Sequence, residues 1–245
     1  MRRVKRAFKI TVIGIIVLAF LFILALCYPE PLFGYKVSYE NLMLYSDAPI
    51  PKEGVTILKE AEGRLLKSDI YNPKDTYRIF ICNSTYKFML FANVKYRGAG
   101  GINSLVSGNS FLRKSDFENN RLVGPSGNEV QGERTLAYFI AHEVTHGVTI
   151  KRIGRLAYYK LPVWIKEGYA DYVGKGGEFD FQDNLKKFKA GDKELDPLKS
   201  GLYLRYHLLV AYELDIKKMK TDELLSSGLK QDVVEKDLEK NLATQ

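Results

Sequence analysis

The run Ala141-His142-Glu143-Val144-Thr145-His146-Gly147 sets two imidazoles four residues apart, with a carboxylate beside the first. On an α-helix that step puts both rings on one face, one turn apart, where they can grip a single ion. Neutral imidazole suits Zn²⁺, and Glu143 can turn its carboxylate toward a water on that metal and act as its base. The chain has only three histidines, and two of them occupy this motif. Leu136, Phe139, Ile140, Val144 and Val148 surround them, an apolar setting that predicts a central helix and not a surface one. The competing reading is a histidine pair that merely stabilises a helix surface.

A catalytic zinc commonly takes three protein ligands and leaves a fourth position for water, so a third ligand is the test of the motif. Leu161-Pro162-Val163-Trp164-Ile165-Lys166-Glu167-Gly168-Tyr169-Ala170-Asp171-Tyr172 supplies one. Pro162 marks a helix start and Gly174 an end, and Lys151 to Lys160 is long enough to bring this second helix back against the first. Glu167 and Asp171 then fall one turn apart. Glu167 is expected to complete the metal's protein ligands, and Asp171 to accept the outer N–H of a ligating histidine and fix its tautomer. The alternative for both is an acidic face that pairs with Lys151, Arg152 or Lys166.

These residues resemble the gluzincin branch of the zincin metallopeptidases, in which a His-Glu-x-x-His helix is followed by a Glu-x-x-x-Asp helix. The matching positions are His142-Glu143-Val144-Thr145-His146 and Glu167-Gly168-Tyr169-Ala170-Asp171, and the likeness is specific only across about Leu136 to Tyr172. It implies a zincin-like fold, with a mixed sheet beside the active helix and an edge strand along the substrate cleft. It also implies an oxyanion donor from a later helix. Gly201-Leu202-Tyr203-Leu204-Arg205-Tyr206-His207 is the comparable segment, with Tyr203 the first choice and His207 the second. Arg152 stands where a metzincin needs a third histidine. Gly98-Ala99-Gly100-Gly101-Ile102-Asn103 lacks the Gly-x-Met-x-Asn pattern of aminopeptidase gluzincins, so aminopeptidase specificity is not supported.

The elements that must position these groups begin with an apolar stretch. Ile10 to Cys27 is eighteen residues without a charge, which as a helix reaches roughly 27 Å, close to the hydrocarbon thickness of a bilayer. Arg2, Arg3, Lys5, Arg6 and Lys9 precede it, and no Ala-x-Ala or lipoprotein cleavage pattern follows it. An uncleaved anchor is therefore expected, with the basic end in the cytoplasm and the rest of the chain outside. The net charge of +8, less those five cations, leaves +3. That remainder is mixed in sign, and no basic stripe interleaved with aromatics appears, which speaks against nucleic-acid binding. Cys27 and Cys82 are the only cysteines, so no disulfide framework is expected.

Residues 29–50 read as a linker or first strand. From Pro51 a helical stripe of Val55, Leu58, Ala61, Leu65 and Leu66 follows, then an alternating strand at Tyr77 to Cys82. Lys87 to Tyr96 is rich enough in aromatics to be another buried segment. Gly98, Gly100 and Gly101 make a flexible turn, after which Ile102 to Arg113 has short extended runs. From about Gly132 onward the pattern is helical, with Val233, Leu238 and Leu242 suggesting a last helix. The expected architecture is α+β: a tail and transmembrane anchor over 1–28, then a zincin-like domain over 51–245 whose mixed sheet precedes a mainly helical half. The function that follows is membrane-anchored, zinc-dependent peptide hydrolysis of a peptide or protein substrate. A non-catalytic zincin-fold binding or assembly protein is the alternative.

Overall fold

The structure, a computed structural model, describes residues 2–242, with side chains over 9–241. The side chains of Arg2, Arg3, Lys5 and Arg6, and that of Leu242, lie outside the described residues. The chain is α+β. Helix α1 (Arg2–Cys27) leads through a short turn to strands β1 (Tyr35–Tyr39) and β2 (Leu42–Ser46), helix α2 (Glu53–Leu65), strand β3 (Tyr77–Cys82) and helix α3 (Thr85–Ala92). Strands β4 (Gly101–Asn103) and β5 (Ser110–Arg113) and the small hairpin β6 (Ser115–Asp116) and β7 (Arg121–Leu122) follow. The remainder is helical: α4 (Leu136–Ile153), α5 (Arg155–Lys160), α6 (Val163–Lys175), α7 (Phe181–Lys189), α8 (Pro197–Ser200), α9 (Leu204–Ala211), α10 (Thr221–Ser226) and α11 (Gln231–Leu242). Within α1, Lys9–Cys27 is long and apolar enough to cross a membrane, and its side chains stay exposed until the last turn.

The five-stranded sheet is mixed, in the order β1-β2-β3-β5-β4. β2, β3 and β5 run parallel, and β1 and β4 pair antiparallel on the two edges. Period-two alternation makes it two-sided. Ile79 and Ile81 join Leu42, Leu44 and Leu112 on the face that packs against α2 and α4. Phe80 and Cys82 join Tyr45 and Phe111 on the other face, where α3, Phe33 and Leu26 of α1 cover them. Stacked rings run through this second layer, with Phe91 and Phe111 only 4.3 Å apart.

Several local expectations shift. The buried stripe of α2 is centred on Ile57, Leu58, Ala61 and Leu65, which leaves Val55 and Leu66 exposed on its rim. The stretch read as a linker or first strand holds two strands. Helix α6 ends at Gly176, where φ is +62°, and not at Gly174. Gly174 instead lies inside the helix, where a Cβ would be 3.1 Å from the ring of Tyr138 and 3.3 Å from Cβ of His142. Its missing side chain lets α6 lie close against α4.

Candidate metal centre

Helix α4 runs through the middle of the molecule, buried along its whole length from Leu136 to Ile150. Thr135 caps it by accepting from the Tyr138 N–H at 3.1 Å, satisfying one of the donors that a helix start leaves free. The rings of His142 and His146 meet edge to face, 4.9 Å apart. Across from them α6 delivers Glu167, whose Oε2 stands 3.5 Å from His142 Nε2 and 3.7 Å from His146 Nε2. Donors held 2.0–2.2 Å from one tetrahedral ion lie roughly 3.4 Å apart, so this spacing fits one metal ion. The three ligand atoms all fall within 4.8 Å of one another.

The electrostatics favour a positive charge among these groups. Burial pushes His146 down to about 4, which leaves its ring neutral as a metal ligand must be. Burial pulls His142 the same way, but its hydrogen bond with Glu167 and the charges of Glu143, Glu167 and Asp171 outweigh that and raise it above its ordinary value. Burial would raise Glu167, yet the two histidines bring it down to about 2. Glu143 differs. Its burial outweighs the attraction of His142, and with repulsion from Glu167 its carboxyl is held up at about 8.

The outer ring nitrogens face tyrosines. Tyr158 of α5 has its hydroxyl 2.9 Å from His146 Nδ1, and Tyr138 has its hydroxyl 3.4 Å from His142 Nδ1. Asp171, expected to accept directly from a ligating histidine, instead accepts from the Tyr138 hydroxyl and reaches His142 only through it. The second oxygen of Asp171 is 2.9 Å from His207 Nδ1. His207 therefore sits behind Asp171, buried and stacked on Phe179, and does not face the ligand group. Tyr203 is the N-cap of α9, with non-helical backbone angles, and its carbonyl accepts from the His207 N–H at 2.9 Å. Tyr203 does reach the centre. Its ring stacks on His142 at 5.7 Å, and its hydroxyl lies toward the Glu167 carboxylate, which it helps to hold ionised.

No protein-family model, curated protein or solved structure matches this chain. The site stands on its own geometry.

That geometry includes residues that the sequence reading did not assign. Edge strand β4 lies along α4. A Cβ on Gly101 would be 2.8 Å from Glu143 Oε1, and one on Gly147 would be 3.0 Å from Asn103 Nδ2. Glycines expected to form a flexible turn thus allow a close approach of strand to helix. Tyr138 lies one turn before His142 and was detectable from spacing, whereas Tyr158 carries no local signal. The group opens on a cleft of about 1100 Å³, lined among others by Gly101, Ile102, Asn103, His142, Glu143 and His146. Such an arrangement can hold a metal ion beside an acid in a space large enough for an extended polymer.

Proposed function

We propose that the chain is a membrane-anchored zinc peptidase with a zincin-like fold, of the gluzincin kind. The observation that carries this reading is Glu143, a buried carboxyl held between the three ligand residues and the free edge of β4. A protein that used its metal only for stability would need His142, His146 and Glu167 but not this fourth group, whose burial costs free energy.

Zinc held by those three side chains would supply Lewis acidity to a water molecule and a scissile carbonyl. Glu143 takes the proton of the attacking water and delivers it to the departing amine, work for which its place beside His142 and His146 in the cleft suits it. Tyr138 and Tyr158 accept from the histidine Nδ1–H groups, which leaves each Nε2 lone pair free to ligate. Among the described residues the outer edge of β4 has no strand partner, and its backbone groups can pair with an extended peptide. Tyr203 is the donor for the developing oxyanion. The basic residues before the apolar helix favour a cytoplasmic N-terminus and a catalytic domain on the other side.

The full chain, purified in detergent, should bind about one zinc ion per molecule and hydrolyse members of a mixed peptide library. Glu143→Gln should keep the metal and lose about 10²- to 10⁴-fold in turnover. A wild type without zinc, or equal hydrolysis by the two proteins, would end the enzymatic reading.

A further inference from the structure

Helix α1 passes into the folded domain without slack. Leu26 is buried in the aromatic layer, and Asn109 Nδ2 donates to the carbonyls of Leu26 at 3.0 Å and Cys27 at 3.4 Å. The next residues are tied as well: Glu30 pairs with Arg78 at 2.8 Å, and Lys87 Nζ donates to the Leu32 carbonyl at 2.5 Å. The same helix forms part of the cleft. Phe22 and Leu26 line it together with His142 and Glu143. Phe22 is five residues before the helix end, about 7 Å deeper along the axis, which is inside the hydrocarbon margin when Lys9–Cys27 spans a bilayer.

Leu90, Val94 and Tyr96 line the same cleft as Phe22, and they are 50%, 63% and 48% exposed. Lys95 and Arg97 flank them. Single exposed apolar residues are ordinary, but a set with an aromatic and neighbouring cations, lining one cleft together with an apolar helix, has the composition of a surface seated among lipid headgroups. We propose that the mouth of this cleft lies in the outer bilayer interface and that the site acts on interfacial segments of membrane-tethered polypeptides. The choice of substrate rests on the peptidase reading above. The position of the mouth does not.

Two measurements on the zinc-loaded full chain in phosphatidylcholine vesicles test this. In the first, Val94→Trp is compared with the parent and with Val233→Trp, on a helix that lines no part of the cleft, using lipids brominated on their acyl chains. Extra quenching at position 94 alone is expected; quenching no greater than the parent's overturns the proposal whatever the activity. In the second, one peptide sequence is offered free and joined to a transmembrane segment. The tethered form should be cleaved at least about tenfold faster, through its raised local concentration, and the advantage should vanish when detergent dissolves the vesicles. Equal cleavage of both forms overturns the substrate assignment. Cleavage of neither, with quenching present, overturns the peptidase reading and the substrate class with it, and upholds the interfacial mouth.

Discussion

A methyl group on Gly101 would meet Leu112 Cδ2 at 2.5 Å and Glu143 Oε1 at 2.8 Å, so alanine there must move either the edge strand or the carboxylate. On the proposed peptidase reading, Gly101→Ala should still bind zinc, since no ligand residue is touched, and lose about 10²-fold in turnover from a displaced base. Metal analysis beside peptide hydrolysis checks this, and undiminished turnover would mean that the carboxylate has room to yield. The grouping of His142, Glu143 and His146 was legible because helical spacing alone sets it. Glu167 was legible as the residue that the second helix brings back to them. The partner of Asp171 was not, because it depends on how α4 and α6 cross and on a tyrosine that comes between. Tyr158 was invisible for a similar reason: it reaches His146 through the bend at Gly154, where φ is +84°.

Between elements, α6 lies close on α9 at Gly168. A Cβ on Gly168 would be 2.5 Å from the carbonyl oxygen of Tyr206, a backbone atom that cannot swing aside. Gly168→Ala should therefore cost about 1–3 kcal/mol of stability and, by shifting the adjacent Glu167, reduce bound zinc. Denaturant unfolding and metal content would both register it; an unchanged midpoint would show that the helices separate easily. Elements with a strong period were readable, such as the alternation of Tyr77 to Cys82 and the apolar surround of α4. The order of the strands was not, since neighbours β3 and β5 are separated in the chain by α3 and β4, and no residue pattern declares which parallel strands pair. Glycines were the main source of misplaced boundaries: Gly101 and Gly174 permit contact where a turn and a helix end had been expected.

For the molecule as a whole, the buried pair of Asp171 and His207 is where acid should tell. Burial would raise Asp171, but the hydrogen bond from His207, the Lys175 charge and the Tyr138 hydroxyl hold it well below the usual carboxylate range. Burial also keeps His207 below its ordinary value, despite Asp171. Both folded-state values are depressed, so their contributions are present above the unfolded pKa values, about 6.5 for histidine and 3.9 for aspartate, and are lost as pH falls through the folded ones. The contribution of this pair should decline below about pH 6.5 and more steeply below about pH 4. Urea midpoints of the parent and of Asp171→Asn across pH would show it as a gap that narrows on acidification, and a gap that widens would refute the assignment.

On the proposed reading of a membrane-anchored peptidase, the slack-free junction at Leu26 and Asn109 also changes how the rate should be counted. A catalytic group fixed to a helix in a lipid sheet searches in two dimensions, so what matters is the number of substrate molecules per unit of lipid area and not per litre. With enzyme and tethered substrate held constant below saturation, adding empty lipid that mixes with theirs should slow cleavage in proportion. A rate indifferent to that surface dilution would mean that the site meets its substrates in open water.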